Sequence, residues 1–467
     1  MKSNSKKRSW SQWLCMTVFG LVVLCLVSCE EDYTPGQIPS VPFNPAKPSS
    51  ISSFSPENGR VGTRLMIYGE NFGTDTTKIR VTVGGAQAKV ISSTGSVIYC
   101  IVGSKSDEGT VQVNILGNDQ TPVKTLTAAT KFNYEAVWLV STLMGYRNED
   151  LTFTESDGPW DKIGGIRAQN LSFDPLNKNH LYLTRDGGPL RRIDFEKRTV
   201  TTLFQNNYLG FNRYNYMAWT LSGDTMIIAT NMSANNPNAM WLTRARFFMD
   251  AYSFIPYAYP YSTSVAVHPV NGELYYSHYS GQTYRYNWNT KETKYMFDAD
   301  EVNWEYNIII HPTGNYAYLS ILNRNYIMRS DYNWDTKEFT SPYAVVGGRN
   351  LSGYADGVGG DARFNMPMQG TFVKNPDYVG RDDEYDFYVC DAQNHCIRKV
   401  TPDRVVSTFA GRGSTALDAD PHGNVNGDLR LEARFYLPYG IVYDELRDCF
   451  YVGDMTNRAI RKIGLAE

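Results

Sequence analysis

The chain has 467 residues, 42% hydrophobic and 13% aromatic, which is enough for two cores and too much for one small domain. Its formal net charge of −3 argues against nucleic acid as a partner, because nucleic acid rewards basic patches. After the first thirty residues long helical patterns give way to short apolar runs broken by Gly, Asn, Asp and Pro, which excludes an α-rich fold and predicts an all-β one.

Lys2, Lys6, Lys7 and Arg8 precede an apolar run over residues 13–27. That is the layout of a signal peptide, too short and wrongly flanked for a mature membrane span. The run ends in Leu26, Val27, Ser28 and Cys29, which resembles the lipobox of bacterial lipoproteins. The resemblance implies a diacylated Cys29 as the new N-terminus; an ordinary signal peptide is the other reading. Glu30, Glu31 and Asp32 follow, and such an acidic run resembles the surface-export signal of Gram-negative glycan foragers. The implied location is the outer membrane, lipid-anchored at the cell surface. Removing residues 1–28 takes away four cations and moves the formal charge from −3 to −7. Cys100, Cys390, Cys396 and Cys449 then remain and read as free buried thiols, with a Cys390–Cys396 bridge left open. Five prolines between 35 and 48 make residues 29–48 a stiff tether.

Residues 49–134 alternate with period two between glycine turns, as in 64–69, 81–85 and 109–114. The stretch from Ser55 and Pro56 through Gly59, Gly62 and Thr63 to Gly69, Asn71 and Phe72 resembles the IPT/TIG family of immunoglobulin-like sandwiches. That resemblance implies a spacer.

Residues 136–467 read as blades of about four short strands, named a to d from the axis outward. The first spans 170–204, the second 217 to about 256, the third 264–297 and the fourth 308–346. The fifth and sixth are two copies of one pattern. Ala362 to Pro367, Phe387 to Asp391, Asn394 and Ile397 to Val400 match Ala433 to Pro438, Phe450 to Asp454, Asn457 and Ile460 to Ile463. Such units bury their faces only against each other. The sixth lacks a d strand, and residues 140–145 match 406–411, the d strand of the fifth. The N-terminal strand of this segment is therefore expected to complete the last blade and close the ring, which removes exposed sheet edges. The two copies resemble NHL-repeat propellers. The expected fold is an Ig-like β-sandwich plus a six-bladed NHL-like β-propeller.

Residues that recur in every copy read as structural: Asp391, Asn394, Asp454, Asn457, Arg398, Arg461, Arg363 and Arg434. His268 and His311 recur in turns of the opposite face, and Asp382 and Asp383 read as solvated. Function is expected at the axial mouth, where d–a and b–c loops converge. The predicted ligand residues there are Trp160, Arg185, Asp186, Tyr214, Tyr279 and Trp304, together with Arg324, Tyr354, His395, Tyr436 and Arg458. Flat aromatic faces beside amide, carboxylate and guanidinium groups suit sugar rings. The lipobox, sandwich and propeller in tandem resemble surface lipoproteins of polysaccharide-utilisation systems. That implies an oligo- or polysaccharide ligand, an outer-membrane transporter with its glycan-capturing subunit as partners, and no cofactor. Two alternatives stand beside it. One is a metal-dependent hydrolase or lyase of the gluconolactonase-like propeller type, with His278, His395 and His422 as metal candidates; the other is a protein–protein scaffold.

Overall fold

The structure is a computed structural model that describes residues 40–60, 62–103, 109–135, 137–145, 155–185, 187–205, 214–230, 238–244, 252–256, 262–278, 280–299, 305–412 and 421–466; for 238–244 and 252–256 the backbone alone is described. The chain divides into two compact units, meeting between Ala136 and Val137.

In the first unit seven strands lie in the order Ser50–Ser55, Arg64–Glu70, Val97–Ile101, Ala86–Ser93, Ile79–Val83, Thr110–Leu116, Pro122–Lys131. Ala86–Ser93 joins the two layers: its first residues pair with Ile79–Val83, its last with Val97–Ile101. The alternation seen in the sequence is the alternation of burial, so Ile79, Val81 and Val83 point inward while Arg80 is exposed. They meet Leu65, Ile67, Ile98, Cys100 and Val113 in one core. Burial in that core pushes the Cys100 thiol up to about 12, so it is an inert apolar filler.

Among the described residues the second unit holds six antiparallel sheets. Their inner strands are Asn170–Phe173, Tyr214–Trp219, Ser262–Val267, Tyr306–Ile310, Pro367–Lys374 and Pro438–Asp444. Each inner strand touches the next, and the last touches the first, so the sheets form a closed ring. Trp138–Met144 pairs antiparallel with Ala459–Leu465, with Ser141 opposite Lys462. The N-terminal strand thus completes the last sheet, as the matched segments required. Among the described residues four sheets carry a fifth strand that the four-strand reading missed; in the fourth blade it is Glu338–Phe339, paired with the end of Tyr326–Asn333. Gly158–Pro159, Gly357–Val358 and Gly427–Asp428 each fold back on the outer edge of a d strand. Cys390, Cys396 and Cys449 are free and buried.

Glycine is required where d strands end. Gly145 and Gly411 have φ of 88° and 90°, and a Cβ on either would lie 2.4 or 2.8 Å from the carbonyl oxygen of Arg458 or His395.

Candidate functional site

Several inner strands carry a β-bulge at the head, between Tyr214 and Met217, Ser262 and Ser264, Pro367 and Gly370, and Pro438 and Gly440. A bulge re-aims side chains. Here the first two help turn Asn215, Tyr216 and Thr263 toward the axis. With Gln169, Glu305, Tyr306, Asn307 and Leu322 they line a cavity of about 40 Å³ at the head of the ring. Three amides, three hydroxyls and one carboxylate make it polar, and no lining residue is a cation.

Some of these groups are satisfied internally. The Thr263 hydroxyl is 2.8 Å from that of Ser277, and Tyr306 Oη is 2.5 Å from Thr283 Oγ1. Two lining groups, Tyr216 Oη and Asn307 Nδ2, are buried facing each other with no well-formed hydrogen bond; outside the lining, Ser262 Oγ, Ser320 Oγ and both amide atoms of Asn170 are buried without a partner. Burial raises the Tyr216 phenol well above its ordinary value, so it stays a neutral donor. Each buried unpaired polar group costs about 1–3 kcal/mol. Gln369, on the inner strand of the fifth blade, reaches that of the first, accepting from Leu171 N–H at 3.0 Å and donating to its carbonyl at 2.8 Å.

The predicted ligand residues are distributed differently from expectation. Asp186, Tyr279, Trp304 and Cys29 lie outside the described residues. Tyr214 is fully buried among Leu190, Phe204 and Ile228, and the bulge turns its neighbours to the axis. Trp160 lies away from that cavity. Its chain runs back along the outer edge, so it packs edge-on against Phe195 at 5.9 Å and under Arg198 at 4.8 Å, in the c–d turn of the opposite face. Arg185 pairs with Glu155 at 3.3 Å, and Arg324 donates to Asn350 at 2.6 Å. Tyr354 bonds Thr408 at 2.7 Å and lies against Arg398.

His395, Arg458 and Asn325 occupy one repeated position, the left-handed last residue of a b–c turn, with φ of 55°, 53° and 63°. Asn325 Oδ1 accepts the N–H of Met366 at 2.9 Å, and His395 Nδ1 accepts that of Leu437 at 3.2 Å. His395 therefore acts as a clamp between the fifth and sixth blades. Burial, then the neighbouring His422, lowers its pKa to about 4. His422 lies against His395 and Tyr436 with ring centroids 5.2 and 4.3 Å away. His278 is elsewhere, with Nδ1 2.5 Å from Ser280 Oγ. Among the described residues no three His, Cys, Asp or Glu side chains gather to hold a metal.

The recurrent charges are structural. Arg398 is fully buried and donates to Asp391, Asp356 and two carbonyls; Arg461 repeats this with Asp454, Asn426 and two carbonyls. Burial lifts Asp391 and Asp454 to about 6 against the pull of these arginines. Arg398, facing a second carboxylate, is raised, whereas Arg461, facing an amide, is lowered by burial. The sequence reading missed that Arg191 and Asp157 form a further copy, at 3.1 Å. On the opposite face His268 and His311 do serve turns. Asp383 is corrected: it is half-buried, accepts from Tyr316 at 2.8 Å and lies 3.3 Å from His311.

The missed axial residues have one signal. Asn170, Asn215, Thr263 and Asn307 put a polar side chain at the head of otherwise apolar inner strands.

The IPT/TIG domain family matches residues 48–134. No curated protein matches the chain. Among solved structures, an auxiliary nutrient binding protein from Bacteroides thetaiotaomicron is 44% identical, covering 91% of this chain and 100% of that one with a TM-score of 0.74. Another auxiliary nutrient binding protein, from Bacteroides ovatus, is 35% identical over 91% and 100% of the two chains, with a TM-score of 0.80. A third structure, from Bacteroides thetaiotaomicron and provisionally designated a phosphatase, is 37% identical over 91% and 99%, with a TM-score of 0.70. At these identities over nearly its whole length, the chain belongs to the family of the Bacteroides auxiliary nutrient binding proteins.

Proposed function

We propose that the chain captures an oligo- or polysaccharide at the axial mouth of its ring. From there the sugar passes to an outer-membrane transporter and its glycan-capturing subunit. Cys29 carries the lipid that anchors the protein at the cell surface. The observation that carries the reading is the polar, cation-free lining of the axial cavity, where Tyr216 and Asn307 offer buried hydrogen-bonding groups. A cavity of about 40 Å³ takes a few waters or one hydroxymethyl tip, not a sugar ring. The saccharide therefore lies across the mouth and inserts one polar tip. Anchoring raises the local ligand concentration beside the transporter.

The phosphatase designation of one relative fits less well, because a phosphate ester wants cations and the cavity lining has none. The metal-enzyme alternative is weakened by His278 and His395, whose Nδ1 atoms are engaged in separate blades. Isothermal titration with oligosaccharides tests the proposal. Tyr216→Phe and Asn307→Ala should each weaken binding about 5- to 10-fold, the worth of one hydrogen bond. Unchanged affinity in both would refute it. Labelling with tritiated palmitate tests the anchor: Cys29→Ala should abolish incorporation.

A further inference from the structure

A second feature of the ring is unrelated to the axial cavity. Between the fifth and sixth blades an open lateral groove of about 470 Å³ runs along the outside. Its floor is the buried Phe450. Around that ring stand Trp138 at 6.1 Å, Tyr388 at 4.6 Å, Phe409 at 5.4 Å and Tyr443 at 5.0 Å, all four half-buried.

Aromatic rings between blades are ordinary packing, so the comparison with other clefts of the same ring decides. Between the fourth and fifth blades Tyr316, Tyr318 and Phe372 cluster similarly, but Arg329 lies over Tyr316 at 3.8 Å, tied down by Asp331 at 2.7 Å. Between the sixth and first, Arg447 lies over Phe195 at 4.5 Å. Lys399 holds the register position of Arg329: Tyr388 pairs with Lys399 as Tyr318 pairs with Arg329. Among the described residues its ammonium makes a long pair, 3.7 Å, to Asp386. Asp386 is itself buried and held by Asn375 at 2.8 Å. A flat arginine covers the rings in those two clefts; here a lysine leaves them beside open space.

We infer that this groove is a second saccharide-binding site, which stacks a pyranose on Trp138, Phe409 and Tyr443 and hydrogen-bonds its rim through Lys399. Ring faces beside a mobile donor match the apolar face and hydroxyl rim of one sugar unit. A volume of this size suits a short oligosaccharide. Two sites on one rigid ring hold a polymer more tightly than either alone, whereas a short oligosaccharide cannot span them. The inference shares its ligand class with the axial reading but stands on different residues.

The test is affinity electrophoresis of the full chain in gels containing xyloglucan, inulin, pullulan, mannan or pectin. It is paired with titration of the hexasaccharide from whichever polymer retards the protein. Tyr443→Ala removes a ring, and Leu429→Arg puts a long charged side chain into the groove while keeping every ring; tryptophan emission confirms that each is folded. Both should lower polymer retention about tenfold while leaving hexasaccharide affinity at the axial mouth unchanged. Retention equal to the wild type in both variants overturns the proposal. So does an unchanged retention with an altered mass by light scattering, which would make the groove a protein contact. Loss in the groove variants with full activity in Asn307→Ala keeps the groove and removes the axial site. If no polymer retards the wild type, both sites fall.

Discussion

Replacing His395 with Asn and with Ala separates a clamp from a ligand or a metal-binding group. The residue after the loop, Leu437, sits at φ 56°, a costly conformation for a branched side chain, and its N–H is held by His395 Nδ1. Ala leaves that N–H without an acceptor, which costs about 1–3 kcal/mol. Asn restores an acceptor as Asn325 does one blade earlier, so its cost should stay below about 1 kcal/mol. The pH dependence gives a second signature. The folded pKa of about 4 lies below the ordinary 6.5, so the unfolded chain takes up the proton first. The stabilisation is complete above pH 6.5 and is lost as pH falls toward 4. At about 1.4 kcal/mol per unit the full shift is worth about 3 kcal/mol, and partial exposure reduces this to about 1–2. Asp391 and Asp454, lifted to about 6, act with the opposite sign, since the fold favours their protons as pH falls; their contributions cancel between wild type and variant. The assay is urea denaturation followed by tryptophan emission. Trp138 is the first tryptophan after Trp13, so the signal reports the ring. Between pH 7.5 and 4.5 the wild type should lose about 1–2 kcal/mol relative to His395→Asn. Parallel curves, or an Asn variant as damaged as Ala, would refute the clamp.

Arg461→Ala strands the buried Asp454 and should cost about 3–5 kcal/mol in the same denaturation assay; Arg461→Met with Asp454→Leu should recover much of it. Gly145→Ala should cost about 1–3 kcal/mol, because it combines φ 88° with a Cβ 2.4 Å from a carbonyl, while Gly360→Ala, which meets nothing within 4 Å, should be neutral in thermal melts. Joining Ser141→Cys to Lys462→Cys should give a disulfide under mild oxidation, since the two residues face each other across the ring-closing pair; failure to form it would argue against the closure.

The architecture was legible where a pattern recurs. Residues 140–145 match 406–411 because both are d strands, with Thr142 and Thr408 each donating to an Asx side chain of the loop outside. The fold-back strands were missed because two residues leave no periodic signal. The site was less legible, for a geometric reason. Strand alternation places Tyr214 by counting from its neighbours, but a bulge shifts the count, sending Tyr214 into the core and Asn215 and Tyr216 to the axis. Trp160 looked like a mouth residue because it lies in a d–a loop; that loop first returns along the outer edge of its own blade. His395 stood out as a lone loop histidine, and only the three-dimensional match to Asn325 identifies its work.

A crystal structure of the full chain soaked with the oligosaccharide that binds it tests the central claim most directly. The account predicts a sugar across the head of the ring, with one hydroxyl within hydrogen-bonding distance of Tyr216 Oη and Asn307 Nδ2. A sugar seated on the 40–135 unit, with the axial cavity holding water alone, would contradict it.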